Sequence, residues 1–178
     1  MNGSRFIALL MLAIWGSWMC AGQALFAATT WTGGFSPDGS LVLLVMVAGA
    51  LPRQEGFGAA IVIGLARVAH TVDPPVAVLA SSILALIAAR SVRRVVDFDL
   101  PMARAGAAGL AALVVTLWLG LVHAARASAS GVGGAGERLT ESLLSAPAAA
   151  LSAAVLALAF GPVLLRLPGL TPLRKRRW

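Results

Sequence analysis

Within the stretch GLARVAHTVDPP, residues 64–75, three side chains are of types that can do chemistry. Arg67 can hold an anion, His70 can ligate a metal or move a proton, and Asp73 can assist either task. Spaced three apart, they would fall at roughly 0°, 300° and 240° around a helix turning about 100° per residue, and so share one face. Two candidate ligands at that spacing do not complete a coordination sphere, and the other histidine in the chain is His123. A site of two histidines and one carboxylate is therefore the metal reading. A polar contact face of Arg67, His70 and Asp73, toward a partner or a neighbouring helix, is the second reading. The plainest is a helix end that meets water, where charged side chains snorkel to the surface.

Residues 131–136, GVGGAG, match G-x-G-x-x-G letter for letter. That pattern signals dinucleotide binding only after a strand, at the opening of a helix, and with an acid about 20 residues further on. Here the glycines follow a long apolar run and lead toward apolar Ala154–Ala159. They read as a flexible loop, with Thr140 or Ser142 as N-cap of the next helix. No G-x-S-x-G elbow, no H-E-x-x-H pair and no carboxylate inside an apolar run occurs. The single cysteine, Cys20, rules out an intrachain disulfide or a cysteine-based metal cluster. The expectation is a protein without enzymatic activity, cofactor or metal.

The elements that would position these residues are membrane helices. With 59% hydrophobic residues, 12% charged residues and a mean hydropathy of +0.88, the chain has more apolar surface than one soluble core of this length could bury. Apolar runs occupy Phe6–Ala28, Ser40–Leu51, Gly56–Val72, Pro75–Ala89, Ala105–Ala125 and Leu143–Leu165. The first run exceeds the roughly 7–15 residues of a signal-peptide core, so it reads as a retained first transmembrane helix. Ser40–Leu51 suits a short crossing or a re-entrant segment.

Charge favours six crossings. They put Arg5, Arg53, Arg90, Arg93, Arg94, Arg104, Arg166, Arg174, Lys175, Arg176 and Arg177 on one side and Arg67, Arg126 and Arg138 on the other, which accounts for all 14 basic residues. Acids lack this bias, with Glu55, Asp97 and Asp99 opposed to Asp38, Asp73, Glu137 and Glu141. By the positive-inside rule both termini are cytoplasmic, and the alternative hairpin over residues 40–72 would bury PRQE in hydrocarbon at roughly 3 kcal/mol or more per charge. Arg90, Arg93, Arg94 and the tail Arg174–Arg177 then face anionic lipid, each contributing about 1 kcal/mol. Nucleic acid is excluded as a partner, because no folded soluble module presents these charges. Small residues at Ala60 and Gly64, and at Ala105 and Gly109, form small-x-x-x-small steps that suit close helix packing, internally or against a partner.

The whole pattern resembles a known family. A first helix, the segment FSPDGSLVLLVMVAGALPRQEGFGAAIVIGL, a fourth helix ending in AARSVRR and a last helix with a basic tail are similar to the rod shape-determining protein MreD family. Pro37 and Asp38 match its Pro-Asp before the second helix, and Gly56, Gly58 and Gly64 its Gly-rich third helix. The family tends to place an acid shortly after that last glycine, where this chain has Arg67. The resemblance implies an all-α integral membrane protein, residues 1–178 as one domain of about six transmembrane helices, in the bacterial inner membrane. It also implies a non-enzymatic scaffold that binds a single-pass protein such as MreC and works with MreB, RodA and a transpeptidase in peptidoglycan synthesis. The same fold is similar to substrate-binding components of energy-coupling-factor transporters, the alternative function.

Overall fold

Prolines and glycines punctuate the chain where helices start and stop. In the computed structural model, which describes residues 3–29, 38–48, 51–131, 134–170 and 173, six helices carry the fold. They are α1 Gly3–Thr29, α2 Gly39–Ala48, α3 Arg53–Val68, α4 Pro75–Val95, α5 Pro101–Ala129 and α6 Ala135–Leu164. No strand occurs among the described residues. Pro75 and Pro101 open α4 and α5 at a position whose N–H has no helical partner anyway. Between α5 and α6, Gly131 (φ 68°) and Gly134 (φ 101°) adopt left-handed backbone that a side chain would strain.

Among the described residues, four helices are long and apolar enough to cross a membrane, over Arg5–Phe26, Pro75–Val95, Pro101–Ala129 and Ala135–Leu164. At about 1.5 Å per residue, the 10 residues of α2 reach about 15 Å and the 16 of α3 about 24 Å, each short of a hydrocarbon core of about 30 Å. The sequence of α2, GSLVLLVMVA, is apolar on every side, and residues 39–47 are buried throughout. α2 touches all five other helices and forms the centre of the bundle.

Successive helices alternate in direction around it. Gly16 of α1 faces Ile63 and Ala66, Gly64 of α3 faces Leu79 and Ser82, and Gly109 of α5 faces Ala150 and Ala154 of α6. At the first end, Arg5 pairs with Glu55, and Arg90 Nη2 donates to the Pro52 carbonyl at 3.2 Å. Asp38, Arg67, Asp73 and His123 gather at the second end.

One boundary differs from expectation. α6 begins at Ala135 with Gly134 as its cap, so Thr140 and Ser142 lie inside the helix and donate to the Gly136 and Arg138 carbonyls. Pro147 and Pro162 both lie inside α6. Ala60, Gly64, Ala105 and Gly109 are all buried within the bundle. Gly64 lets α3 and α4 approach one another and Gly109 does the same for α5 and α6, so at these two positions the small residues serve packing within the bundle.

Candidate functional site

Arg67, His70 and Asp73 border one cleft at the second end, but not as a helical face. α3 stops at Val68, which leaves Arg67 in its last turn and puts His70 and Asp73 in the connection to α4. Pro74 and Pro75 keep Asp73 and Pro74 out of the α region, so α3 cannot run on into α4. The three side chains then diverge. Arg67 turns into the bundle, Asp73 reaches α5, and His70 is exposed.

Arg67 Nη2 donates to Asp38 Oδ2 at 2.7 Å, and Nη1 donates to Ser81 Oγ at 3.2 Å. Side-chain exposure is 11% for Arg67 and 22% for Asp38, so water screens the pair little. Asp38 Oδ1 accepts the Leu41 backbone N–H at 2.9 Å and the Ser40 hydroxyl at 2.6 Å, which makes Asp38 the N-cap of α2. One carboxylate thus starts α2 and neutralises Arg67, while the guanidinium continues to Ser81 on α4. The network joins α2, α3 and α4 at one level.

A second pair lies beside it. Asp73 Oδ1 is 2.7 Å from His123 Nε2, and Asp73 Oδ2 accepts the Thr71 hydroxyl at 3.0 Å. This fastens the α3–α4 connection to α5. Trp118 Nε1 reinforces the same seam by donating to the Ala77 carbonyl at 3.0 Å. His123 is the histidine that the metal reading required, yet His70 does not join it. Among the described residues no three His, Cys, Asp or Glu side chains converge.

The cleft has a volume of about 260 Å³ and is lined by Cys20 and Gln23 of α1, Asp38 and Ser40, and Arg67, His70, Thr71 and Asp73. It falls below the roughly 300–1,000 Å³ of pockets that enclose drug-sized ligands. Its charged walls already satisfy each other.

At the first end, Arg90 lies 5.4 Å from the centroid of the Phe57 ring, and Arg93 and Arg94 occupy the last turn of α4. Pro37, Arg174, Lys175, Arg176 and Arg177 lie outside the described residues. Sequence reasoning missed the Asp38–Arg67 pair. The available signal was two opposite charges at the same expected end of consecutive short helices, in a chain with few charges to place.

Length and apolarity of α1, α4, α5 and α6 mark the chain as a multi-pass helical membrane protein. No family model, curated protein or solved structure matches it.

Proposed function

We propose that this chain is a non-enzymatic scaffold of the bacterial inner membrane, a subunit of the rod-shape elongation machinery similar to MreD. It docks a single-pass partner of the MreC kind and through it links the MreB filament to peptidoglycan synthesis by RodA and a transpeptidase. Both termini are cytoplasmic in this reading, with all six helices crossing.

The observation that carries the reading is the bonding of Asp38. The aspartate of the Pro-Asp motif caps α2 and pairs with Arg67, so the charges that enter the bundle brace a short central helix. Transport of ions or protons through the bundle would call for ionisable groups with changing partners. A scaffold needs a rigid bundle with apolar flanks. α1 and α6 supply those flanks through exposed Ile7, Leu10, Ile14 and Trp18, and Leu144, Leu151 and Val155.

The test is detergent co-purification of the tagged chain from native membranes, with mass-spectrometric identification of what accompanies it. A single-pass protein and cell-wall synthases are the expected companions. Recovery of a pair of transport ATPases without them would replace this reading by the second one, a substrate-binding component of an energy-coupling-factor type transporter. The cleft lined by Arg67, His70 and Asp73 favours that alternative, and its volume of about 260 Å³ counts against a vitamin-sized solute.

A further inference from the structure

The length of helix free of Asp, Glu, Lys and Arg differs around the bundle. It covers residues 6–29 of α1, 105–125 of α5 and 142–164 of α6, which at the helical rise are about 36, 31 and 34 Å and match a hydrocarbon core of about 30 Å. On α3 and α4 it covers only residues 56–66 and 75–89, about 16 and 22 Å. These two helices pack on each other, with Gly64 facing Leu79 and Ser82, so the deficit lies on one flank. Exposed Ile61 and Leu65 of α3 and Val76 and Ile87 of α4 are its apolar surface. We propose that the α3–α4 flank is a bilayer-thinning surface, whose lipid partner is phospholipid with acyl chains shorter than those of the surrounding membrane.

Both limits of the flank are fixed by bonds. Arg67 Nη1 donates to Ser81 Oγ, and Ser81 lies six positions into α4, so this charge sits about 9 Å inside the start of that helix. Over the Asp38–Arg67 pair opens the cleft of about 260 Å³, with Gln23, Ser40 and Thr71 in its walls and room for several waters. Water there carries polar surface down to Arg67 and spares the pair from burial in hydrocarbon. At the first end Arg5 pairs with Glu55, and Arg90 Nη2 donates to the Pro52 carbonyl, so α3 cannot slide along α4 to gain apolar length.

A short apolar stretch can also be accommodated by tilting, by snorkelling or by association. Tilt shortens its projection on the membrane normal and enlarges the mismatch. Snorkelling needs side chains free to extend toward water, whereas Arg67 is folded into the bundle by Asp38 and Ser81. Association would cover Ile61 and Leu65 with a second copy, which the experiment detects. Thinning of the lipid is what the geometry leaves.

Bimane attached at Ile61→Cys or Val155→Cys, each in the full chain with Cys20→Ala, reports the neighbouring acyl chains when brominated lipid quenches it in dioleoylphosphatidylcholine vesicles. Brominated dimyristoleoylphosphatidylcholine should be enriched about two-fold over its bulk fraction at Ile61 on α3, and not at Val155 on α6. Adding Arg67→Met with Asp38→Asn, which removes the inner charged level, should lower that enrichment, and thermal unfolding would show that the chain is folded. The comparison of the two positions stands without that variant. Equal enrichment at both, or preference for dioleoyl chains at Ile61, would overturn the proposal, as would absence of quenching at Ile61 by either lipid, the mark of a covering copy. Cys20 of the wild type, and Gln23→Cys in the Cys20→Ala chain, should react with a charged thiol reagent at rates comparable to Ser130→Cys in opened membranes. Protection of both would mean a dry cleft and would overturn the proposal as well.

Discussion

Asp38 and Arg67 stand 2.7 Å apart at the level where α2 begins and α3 ends, and each is bonded to a further helical element. α2 is a 10-residue helix whose apolar run gives it no preferred face, so its register depends on what holds its start.

Removing one partner should therefore cost more than removing both charges. Arg67→Met leaves a carboxylate facing Ser81 and the cleft, and should destabilise the folded state by about 2 kcal/mol, reduced from the fully buried case by the partial exposure of the pair. Asp38→Asn keeps a capping side chain but strands Arg67, with a similar loss. The double variant Arg67→Met, Asp38→Asn should recover at least half of it. Thermal unfolding in detergent reads all three, and strictly additive losses would show that the two charges are not coupled.

Glycine contacts give a second expectation, set by geometry. A Cβ on Gly120 would overlap the Cβ of Ser142, which no rotation of the serine relieves. Gly120→Ala should cost about 2–3 kcal/mol by forcing α5 from α6. Gly22, with nothing within 4 Å of its Cβ position, should tolerate alanine with no loss or a gain of up to about 1 kcal/mol. Equal melting temperatures for the two variants would contradict the tight α5–α6 packing.

What the sequence disclosed and what it withheld divide along a physical line. Apolar run length identifies the helices because burial of backbone groups in lipid leaves few alternatives, and five of the six begin before the residue at which their apolar run starts. α6 starts eight residues ahead of its apolar run at Leu143, because Ala135, Glu137, Arg138, Leu139 and Glu141 are good helix formers and the charged ones suit water. The end of α3 is not legible because the helical spacing continues through His70 and Asp73, whereas the helix itself stops at Val68, before the prolines are reached. The small residues were legible as packing positions, but which helix packs on them depends on topology that spacing alone does not encode. The Asp38–Arg67 pair is non-local for the same reason, its members standing 29 positions apart in the chain.

Topology can be read chemically. Single cysteines at Ser91 and Ser130, both exposed and on opposite ends, in a Cys20→Ala background, should respond differently to an impermeant thiol reagent. In sealed cells Ser130→Cys should label and Ser91→Cys should not if, as the expected six crossings and the positive-inside rule imply, the end that carries Arg90, Arg93 and Arg94 is cytoplasmic. The reverse pattern would invert the protein, and labelling at both would break the alternation of the helices.

The Asp73–His123 contact should behave as a clasp on the α3–α4 connection and not as a metal centre. At 21% side-chain exposure for Asp73 and 38% for His123, it should contribute about 0.5–1 kcal/mol in a double-mutant cycle of Asp73→Asn and His123→Gln. Elemental analysis should find less than one zinc, iron or manganese per chain, and chelation should leave the melting temperature unchanged. A stoichiometric metal lost on His123→Gln would reassign these residues as ligands.

The partner surface is the remaining expectation, and burial narrows where it can be. Ala60, Gly64, Ala105 and Gly109 are consumed by the bundle's own packing, so a docking helix must use an outward face. On α1, Trp18 is 70% exposed and Gly22, one turn on, has open space around it. Trp18 lies thirteen residues past Arg5, about 20 Å along the helix, inside the hydrocarbon and away from the interfaces that tryptophan prefers. A large aromatic beside a glycine gives a projecting ring and a recess, the relief on which a second helix packs without help from the hydrophobic effect. Photo-reactive residues at Ile14 and Gly22 should therefore crosslink to a single-pass protein in native membranes, and the same probe at exposed Ile61 or Leu65 of α3 should not. Trp18→Ala should reduce co-purification about five- to ten-fold, the loss of one well-packed aromatic contact at about 1–1.4 kcal/mol, while leaving the melting temperature of the isolated chain unchanged. Crosslinks confined to α6, or an undiminished yield with Trp18→Ala, would move the docking face to Leu144, Leu151 and Val155. Crosslinks from neither helix, with the partner still recovered, would leave the loops at the two ends as the place where it is held.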